Sequence, residues 1–183
     1  MKLLVINGNP YAENKVFDAY IDELISKTQS AGHEIKQIVL RDIKVKPCTG
    51  CFACWVKTPG ICSIKDDAVE VSKNFISSDQ VIMASPLVMG FLSALLKNAF
   101  DRNIPLVHPH LEDVGGEAHH KKRYDKYPIM SFLLQKEAFT DDEDIEIVSD
   151  IFRRESINVR SKLGFIRFID SPVQEVVNEI NIH

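Results

Sequence analysis

Residues 2–16 read KLLVINGNPYAENKV, and this stretch decides the fold class. Its first six residues are almost continuously apolar, which is typical of a strand buried on both faces of a parallel sheet. A turn at Gly8 leads to Asn14, a residue type that begins helices, and apolar residues at helical spacing continue until Gly32. A buried strand, a glycine turn and an amphipathic helix predict the first βα unit of an α/β protein.

The same alternation of short apolar runs and amphipathic helices continues along the chain. Further strands are predicted at 33–40, 80–85, 128–134 and 163–169, and further helices at 67–77, 92–100, 140–158 and 172–180. This order predicts one domain over residues 1–183, a doubly wound five-stranded parallel sheet with helices on both faces. Two segments stand outside the pattern, a cysteine-rich stretch at 47–65 and an insertion at 105–127.

The composition is that of a globular protein with neither a nucleic-acid nor a membrane partner. Of the 183 residues 45% are hydrophobic and 26% charged, and the net charge is -4, which does not suit nucleic acid or an anionic membrane. No apolar run approaches the roughly 18 residues of a membrane-spanning helix, and residues 3–6 are too few for a signal-peptide core. We therefore expect a cytoplasmic protein with reduced cysteines.

Ligands of doubly wound folds bind beyond the carboxyl ends of the strands, where the first loop follows residues 2–7. Gly8 allows a tight turn with close backbone approach. The helix start at Asn14 offers unpaired N–H groups and the positive end of a helix dipole, and Lys15 adds a cation. This combination suits a phosphate, and a βα turn capped by Asn14 without any ligand is the alternative.

The second loop, Ser85 to Phe91, is apolar, whereas loops at this edge are normally polar. A flat aromatic ligand explains this composition, with Met89 and Phe91 against its ring and backbone N–H groups on its polar edge. Packing of the loop onto the core is the alternative.

All the cysteines lie within fifteen residues at the spacing C-x2-C-x2-C-x7-C: Cys48, Cys51, Cys54 and Cys62. Three thiolates at this spacing wrap one iron–sulfur cluster, and a turn at Pro59-Gly60 brings the fourth within reach. A 4Fe–4S cluster and a set of reduced thiols or a redox-labile pair are both open interpretations. Zinc is a third one, less suited because structural zinc sites usually take two separated C-x-x-C pairs.

Four stretches carry a likeness to a known family: VINGNP with the later EN, PCTGCFACWVKTPGICSIKDDA, ASPLVMGFLSALLKNAFDR and GGEAHHKKRYDKYP. Together they resemble the flavodoxin-like NADPH-dependent FMN reductase family, in its branch related to iron–sulfur flavoproteins. The cysteine segment with its Asp-Asp pair and the SP…SALLK-x-x-x-DR stretch are the most specific parts. The first loop departs from the family's Gly-Ser-Pro-Arg and Asn-Thr, because Asn9, Tyr11 and Lys15 replace the Ser, the Arg and the Thr.

The resemblance implies a flavodoxin-like strand order 2-1-3-4-5 and noncovalently bound FMN. The FMN phosphate would lie at Asn9, Pro10, Asn14, Lys15 and Val16, and its ring against Pro86, Leu87, Val88, Met89, Gly90 and Phe91. Such proteins are homodimers or homotetramers with the flavin near a subunit interface. Gly115 and Gly116 would approach the flavin or a neighbouring subunit. A 4Fe–4S cluster, if the four cysteines hold one, would pass single electrons to the flavin.

The resulting hypothesis is an FMN-dependent oxidoreductase that takes electrons from NAD(P)H or a ferredoxin-type donor. Hydride transfer needs no acid or base side chain at the ring, so we predict no catalytic residue. Two alternatives stay open. One is an iron–sulfur flavoprotein electron carrier without substrate turnover, and the other is a flavin-free assembly protein whose cysteines hold zinc.

The remaining motifs are interpreted as structural. The histidine-rich insertion is interpreted as a solvated loop or a subunit contact. The alternative is a second metal site, or an anion site in which Lys121, Lys122 and Arg123 attract the 2′-phosphate of NADPH. Asp101 and Arg102 are interpreted as a structural ion pair.

Overall fold

The computed structural model describes residues 1–181, and Ile182 and His183 lie outside the described part. In chain order the elements are β1 (Lys2–Asn7), α1 (Lys15–Ser30), β2 (Glu34–Val39), α2 (Ala53–Val56), α3 (Ala68–Ser77), β3 (Gln80–Val88), β4 (Phe91–Leu92), α4 (Ala94–Asp101), β5 (Val107–Val114), β6 (Glu117–Lys122), β7 (Ile129–Gln135), α5 (Asp142–Asn158), β8 (Lys162–Phe168) and α6 (Val173–Ile180). Short 3-10 helices occupy Leu40–Asp42 and Ile104–Leu106. None of the helices within residues 1–181 is long and apolar enough to cross a bilayer.

The central sheet has the order β2-β1-β3-β7-β8, and all of these strands pair in parallel. Counted along the chain, this is the order 2-1-3-4-5, so the predicted doubly wound flavodoxin-like fold is confirmed. The short strand β4 returns antiparallel to β3, with Leu87 opposite Leu92 and Val88 opposite Phe91.

The continuous apolar run of β1 is explained by packing on both faces of the sheet. Leu4 and Ile6 belong to the core under α3, α4 and α5, whereas Leu3 and Val5 belong to the core under α1 and α6. Successive side chains of a strand point to opposite faces, so a strand with helices on both sides buries every residue. Helix α1 then begins as predicted, because the Asn14 side chain accepts the Phe17 N–H at 3.4 Å.

The insertion at 105–127 folds as an antiparallel hairpin of β5 and β6, for which the sequence analysis predicted no strands. Strand prediction depends on alternating apolar and polar residues, and this segment consists largely of histidines, lysines and acidic residues. Pro109 is a further signal against a strand. The predicted ion pair between Asp101 and Arg102 is wrong, because Asp101 pairs with Lys97 and Arg102 pairs with Asp66. Helix geometry explains this, since residues four apart face each other and adjacent ones do not.

Candidate functional site

The carboxyl ends of β1, β3 and β7 meet at one edge of the sheet and are tied to each other. The Gly8 N–H donates to the Ala84 carbonyl at 2.7 Å, and the Ser93 hydroxyl donates to the Gly8 carbonyl at 2.5 Å. The Asn14 side chain donates to Gln135 Oε1 at 2.6 Å. The first loop is therefore joined to the ends of β3 and β7, and the two predicted ligand loops lie side by side.

Asn9 is buried beneath the first loop and not presented on its surface. Its Oδ1 accepts the Tyr11 N–H at 3.0 Å, and its Nδ2 donates to Asp18 Oδ1 at 3.1 Å and to the Asn14 carbonyl at 3.4 Å. Both side-chain hydrogens thus have acceptors inside the protein. The Asn9 side chain supports the loop, and both of its side-chain N–H groups are engaged inside the protein.

The support under the loop is an ionic network centred on Asp18. Arg41 donates both Nη atoms to this carboxylate, at 2.8 and 3.2 Å, and Asn7 donates at 3.0 Å. Burial raises the pKa of the Asp18 carboxyl, but the hydrogen bonds from Asn7, Asn9 and Arg41 outweigh burial and lower the pKa below its ordinary value. Asp18 is therefore an ionised anchor at neutral pH.

The start of α1 is open to solvent. Lys15 is exposed, and 71% of the Val16 surface is accessible. Within residues 1–181, the backbone N–H groups of Glu13 and Val16 have no hydrogen-bond acceptor. Asn14 is occupied by its cap and by Gln135, and Pro10 is half-buried. The start of the helix therefore keeps free N–H donors beside a lysine, as an anion requires.

The second loop is shorter than predicted because β3 continues to Val88 and a two-residue turn leads into β4. Met89 and Gly90 form this turn with φ values of 52° and 74°, the left-handed conformation that tight hairpins require. The loop contains both of the predicted environments. Pro86 and Leu87 are buried and Phe91 packs on Phe152, as the core-packing alternative states. Val88 and Met89 are 36% and 90% exposed.

Sequence reasoning missed Glu137, which follows β7. Its Oε1 accepts the Met89 N–H and its Oε2 accepts the Gly90 N–H, both at 3.0 Å. These N–H groups are the donors that were expected to face the polar edge of a ring. Glu137 lies 47 residues from Gly90, so no local sequence signal pointed to the contact.

All four cysteines line one cleft, although they come from a segment with little regular structure. The lining comprises Cys48, Thr49, Gly50, Cys51, Phe52, Cys54, Cys62, Ser63, Ile64 and Ile104. Cys54 lies at the buried side, Cys48 and Cys51 are exposed, and all four are free thiols. The structure thus brings together the complete predicted ligand set.

The four thiols differ in their environments. Hydrogen bonds from the Ala53 backbone and from Ser63 and Thr49 lower the pKa of Cys51 to about 7. Burial, followed by repulsion from the neighbouring Cys62, raises the pKa of Cys54. Cys51 is therefore more readily present than Cys54 as thiolate, the form that binds metal.

The thiols are not arranged as the ligands of a single metal ion are. Among residues 1–181, no three His, Cys, Asp or Glu side chains are grouped closely enough to hold one metal ion. Zinc needs all of its sulfur ligands at about 2.3 Å from one atom, so this spacing does not favour zinc. In a 4Fe–4S cube each thiolate binds a different iron, and the ligands stand further apart.

The cysteine segment is anchored on the insertion hairpin through Trp55. The indole N–H donates to the carbonyls of Ile104 and Val107 at 3.1 and 3.0 Å. A cavity of ≈ 290 Å³ lies beside the segment, and its lining includes Cys62, Arg102 and Tyr124 but none of the residues predicted to bind flavin. The edge predicted for the flavin is open to solvent at Lys15, Val16, Val88 and Met89.

Comparison with known proteins gives the family. The sequence model described as NADPH-dependent FMN reductase matches residues 1–121, so the chain belongs to this family. An iron–sulfur flavoprotein of Archaeoglobus fulgidus is 35% identical over 103 residues, which are 56% of this chain and 49% of that protein. An iron–sulfur flavoprotein of Methanocaldococcus jannaschii is 36% identical over 106 residues, 58% of this chain and 53% of that protein. The matched part spans about half the length of these relatives.

Solved structures of low sequence identity share the fold. An azoreductase from Bacillus anthracis superposes with a TM-score of 0.68 at 12% identity, over 100% of both chains. An NAD(P)H:quinone oxidoreductase from Methanothermobacter marburgensis gives a TM-score of 0.66 at 16% identity, over 100% of this chain and 90% of that chain.

Proposed function

We propose that this protein is an FMN-dependent oxidoreductase that also carries a 4Fe–4S cluster and takes electrons from NAD(P)H or a ferredoxin-type donor. The observation that carries the proposal is the open edge at the ends of β1 and β3, which presents exposed Val16, Val88 and Met89 and the unpaired N–H groups at the start of α1. An apolar surface beside an anion site matches a flat ring with a phosphate tail. The chain's membership of the FMN reductase family supports this choice of ligand.

Each part of this edge has a role in holding FMN. The N–H groups of Glu13 and Val16 and the Lys15 ammonium bind the phosphate, and Pro10 shapes the turn before them. Val88, Met89 and Gly90 lie against the ring, while Pro86, Leu87 and Phe91 hold their hairpin on the core. Bound FMN supplies transfer of a hydride or of single electrons. The protein positions the ring and excludes water, and a homodimeric or homotetrameric partner closes the open side.

The cleft of Cys48, Cys51, Cys54 and Cys62 is the proposed cluster site. The donor set fits, because four free thiols face one cleft and no disulfide competes for them. A cluster there supplies one-electron exchange next to the two-electron chemistry of the flavin. The names of the two archaeal relatives support this part of the proposal.

The proposal is tested by adding FMN and riboflavin to the purified flavin-free chain and following the quenching of flavin fluorescence. One FMN should bind per chain, and riboflavin should bind more weakly because it lacks the phosphate. Lys15→Glu should weaken FMN by about tenfold, a loss of 1.4 kcal/mol, and leave riboflavin unchanged. Lys162→Glu, the same charge change on an exposed residue at the opposite edge of the sheet, is the control. Absence of any FMN binding would refute the function.

Removing Glu137 should strengthen FMN binding. Its carboxylate accepts the hydrogen bonds of the Met89 and Gly90 N–H groups, which the proposal assigns to the ring. A hydrogen bond from either N–H group to the ring is worth about 0.5–1.5 kcal/mol net. Glu137→Ala is therefore expected to lower the FMN dissociation constant by up to about tenfold. Glu143→Ala, an exposed acid in α5, should leave it unchanged. Weaker binding in Glu137→Ala would show that Glu137 holds the turn in its binding shape instead.

An electron carrier without substrate turnover is the second candidate, which the cysteine cleft favours. Steady-state oxidation of NADH or NADPH by the flavin-loaded protein separates the two. Turnover with a soluble quinone supports the oxidoreductase, whereas reduction only by a one-electron donor supports the carrier.

A further inference from the structure

Arg102 is a cation buried at the end of α4, next to the cysteine segment. Its side chain is 1% exposed, and the side chain of its partner Asp66 is 3% exposed. The pair is bidentate, with Nη1 2.8 Å from Oδ2 and Nη2 3.0 Å from Oδ1. Desolvating two charges is costly, and it is offset only where the geometry is good and further hydrogen bonds satisfy the remaining donors.

The further hydrogen bonds of Arg102 come from its two Nη atoms and lie at both ends of the cysteine segment, while Nε has no partner within residues 1–181. Nη1 donates to the Lys46 carbonyl at 2.6 Å, and Nη2 donates to the Ile64 carbonyl at 3.3 Å. Lys46 lies just before Cys48, and Ile64 lies just after Cys62. One side chain therefore closes both ends of the segment onto α4, and Asp66 adds a bond from the Lys46 N–H at 2.8 Å.

The same guanidinium contacts a proposed cluster ligand. Nη2 lies 3.4 Å from the Cys62 sulfur. Within residues 1–181, no other cysteine sulfur accepts a hydrogen bond from a cationic side chain. Groups that donate to the ligands of a metal centre fix their orientation, and hydrogen bonds to the sulfurs help to set the reduction potential of an iron–sulfur centre.

We propose that Arg102 is a positioning residue of the cysteine site, which holds Cys62 in place and raises the reduction potential of the cluster by donating to its sulfur. This inference rests on the proposed cluster. The physical reason is that a fixed cation and its hydrogen bond offset the negative charge that accumulates on the thiolate ligands in the reduced state.

The test compares Arg102→Lys with Lys97→Gln, which removes an exposed cation from the same helix. Lysine keeps the charge but cannot span Asp66, Lys46 and Cys62 together, because its ammonium is a single point and not a planar fork. After anaerobic reconstitution, Arg102→Lys should release iron to a chelator about 10- to 100-fold faster than the wild type. Its cluster midpoint potential should also be more negative. Lys97→Gln should match the wild type in both, and FMN binding should be unchanged in both variants.

The outcomes separate the inference from the function on which it rests. If the folded Arg102→Lys variant releases iron at the wild-type rate and its cluster has the wild-type midpoint potential, the role of Arg102 is overturned. The cluster proposal then remains intact. Failure of the wild type to take up iron would refute the cluster itself, and the inference with it.

A second measurement needs neither cluster nor flavin and serves if Arg102→Lys does not fold. In the metal-free chain, the NMR resonances of the Arg102 guanidinium should shift in Cys62→Ala. They should not shift in Cys48→Ala, which removes a thiol of the same cleft that Arg102 does not contact. Equal spectra in the two variants would overturn the contact.

Discussion

Replacing Cys54 by serine should abolish iron binding while the fold and the FMN site are retained. Cys54 is the buried thiol of the cleft, 8% exposed, so no other group can take its place from solvent. Serine has nearly the same shape, but its hydroxyl is a poor substitute for a soft thiolate ligand. Iron and sulfide content and the visible spectrum after anaerobic reconstitution measure the effect. The expected result is iron at the background level, with wild-type affinity for FMN.

Ile64→Val is the matched control for this prediction. Ile64 lines the same cleft, but its side chain carries neither a ligand for iron nor a hydrogen-bond donor for a sulfur. It should therefore retain the cluster. Equal iron content in Cys54→Ser and the wild type would refute the assignment of the cleft as a cluster site.

Replacing Gly8 by alanine should destabilise the fold and disturb the flavin edge together. A Cβ at Gly8 would lie 2.6 Å from the Leu96 Cβ and 3.1 Å from the Ala84 carbonyl oxygen, and neither atom is the end of a flexible side chain. The loop must therefore move and lose hydrogen bonds to Ala84 and Ser93. Overpacking and lost hydrogen bonds together should lower the free energy of unfolding by about 2–4 kcal/mol. Urea unfolding measures this loss, and FMN affinity should also fall.

The control for the Gly8 variant is Gly32→Ala, in the turn between α1 and β2. Gly32 has a φ of 87° and no neighbouring atom within 4 Å among residues 1–181, so alanine there meets backbone strain without a steric clash. Its cost should be about 1 kcal/mol, and FMN binding should be unaffected. Equal destabilisation by the two variants would show that the close approach of Gly8 to α4 and β3 is not the cause.

Most of the parallel sheet was predictable because its signals are local. The apolar run at residues 2–7 follows from burial of a strand on both faces. The helical spacing of apolar residues in 15–31 follows from burial of a helix on one face. The hairpin of β5 and β6 was not predictable. Its strands lie outside the main core, so they lack the alternation of apolar and polar residues by which strands are predicted. The cysteine site lies between these cases. Its ligand set was evident from spacing, whereas the tie between Cys62 and Arg102 was not.

The flavin edge shows the same division in single residues. Asn14 was predicted as the cap of α1, and its Oδ1 does accept the Phe17 N–H. Asn9 occupies a family position for a phosphate donor, yet Asp18 and the Asn14 carbonyl take both of its hydrogens. The Met89 and Gly90 N–H groups of the second loop were predicted to be free, but they donate to Glu137. The sequence could not predict this contact, because it depends on how β7 ends beside β3.

The sequence by itself determined the fold class, the family and the close spacing of the four cysteines, because periodicity and spacing are properties of neighbouring residues. Tertiary structure alone decided which donors remain free and which charge meets which sulfur. Those outcomes depend on residues brought together from distant parts of the chain, such as Asp66 and Arg102, 36 residues apart. Competition among such partners for a limited number of buried hydrogen bonds decides each case, and no local pattern encodes its result.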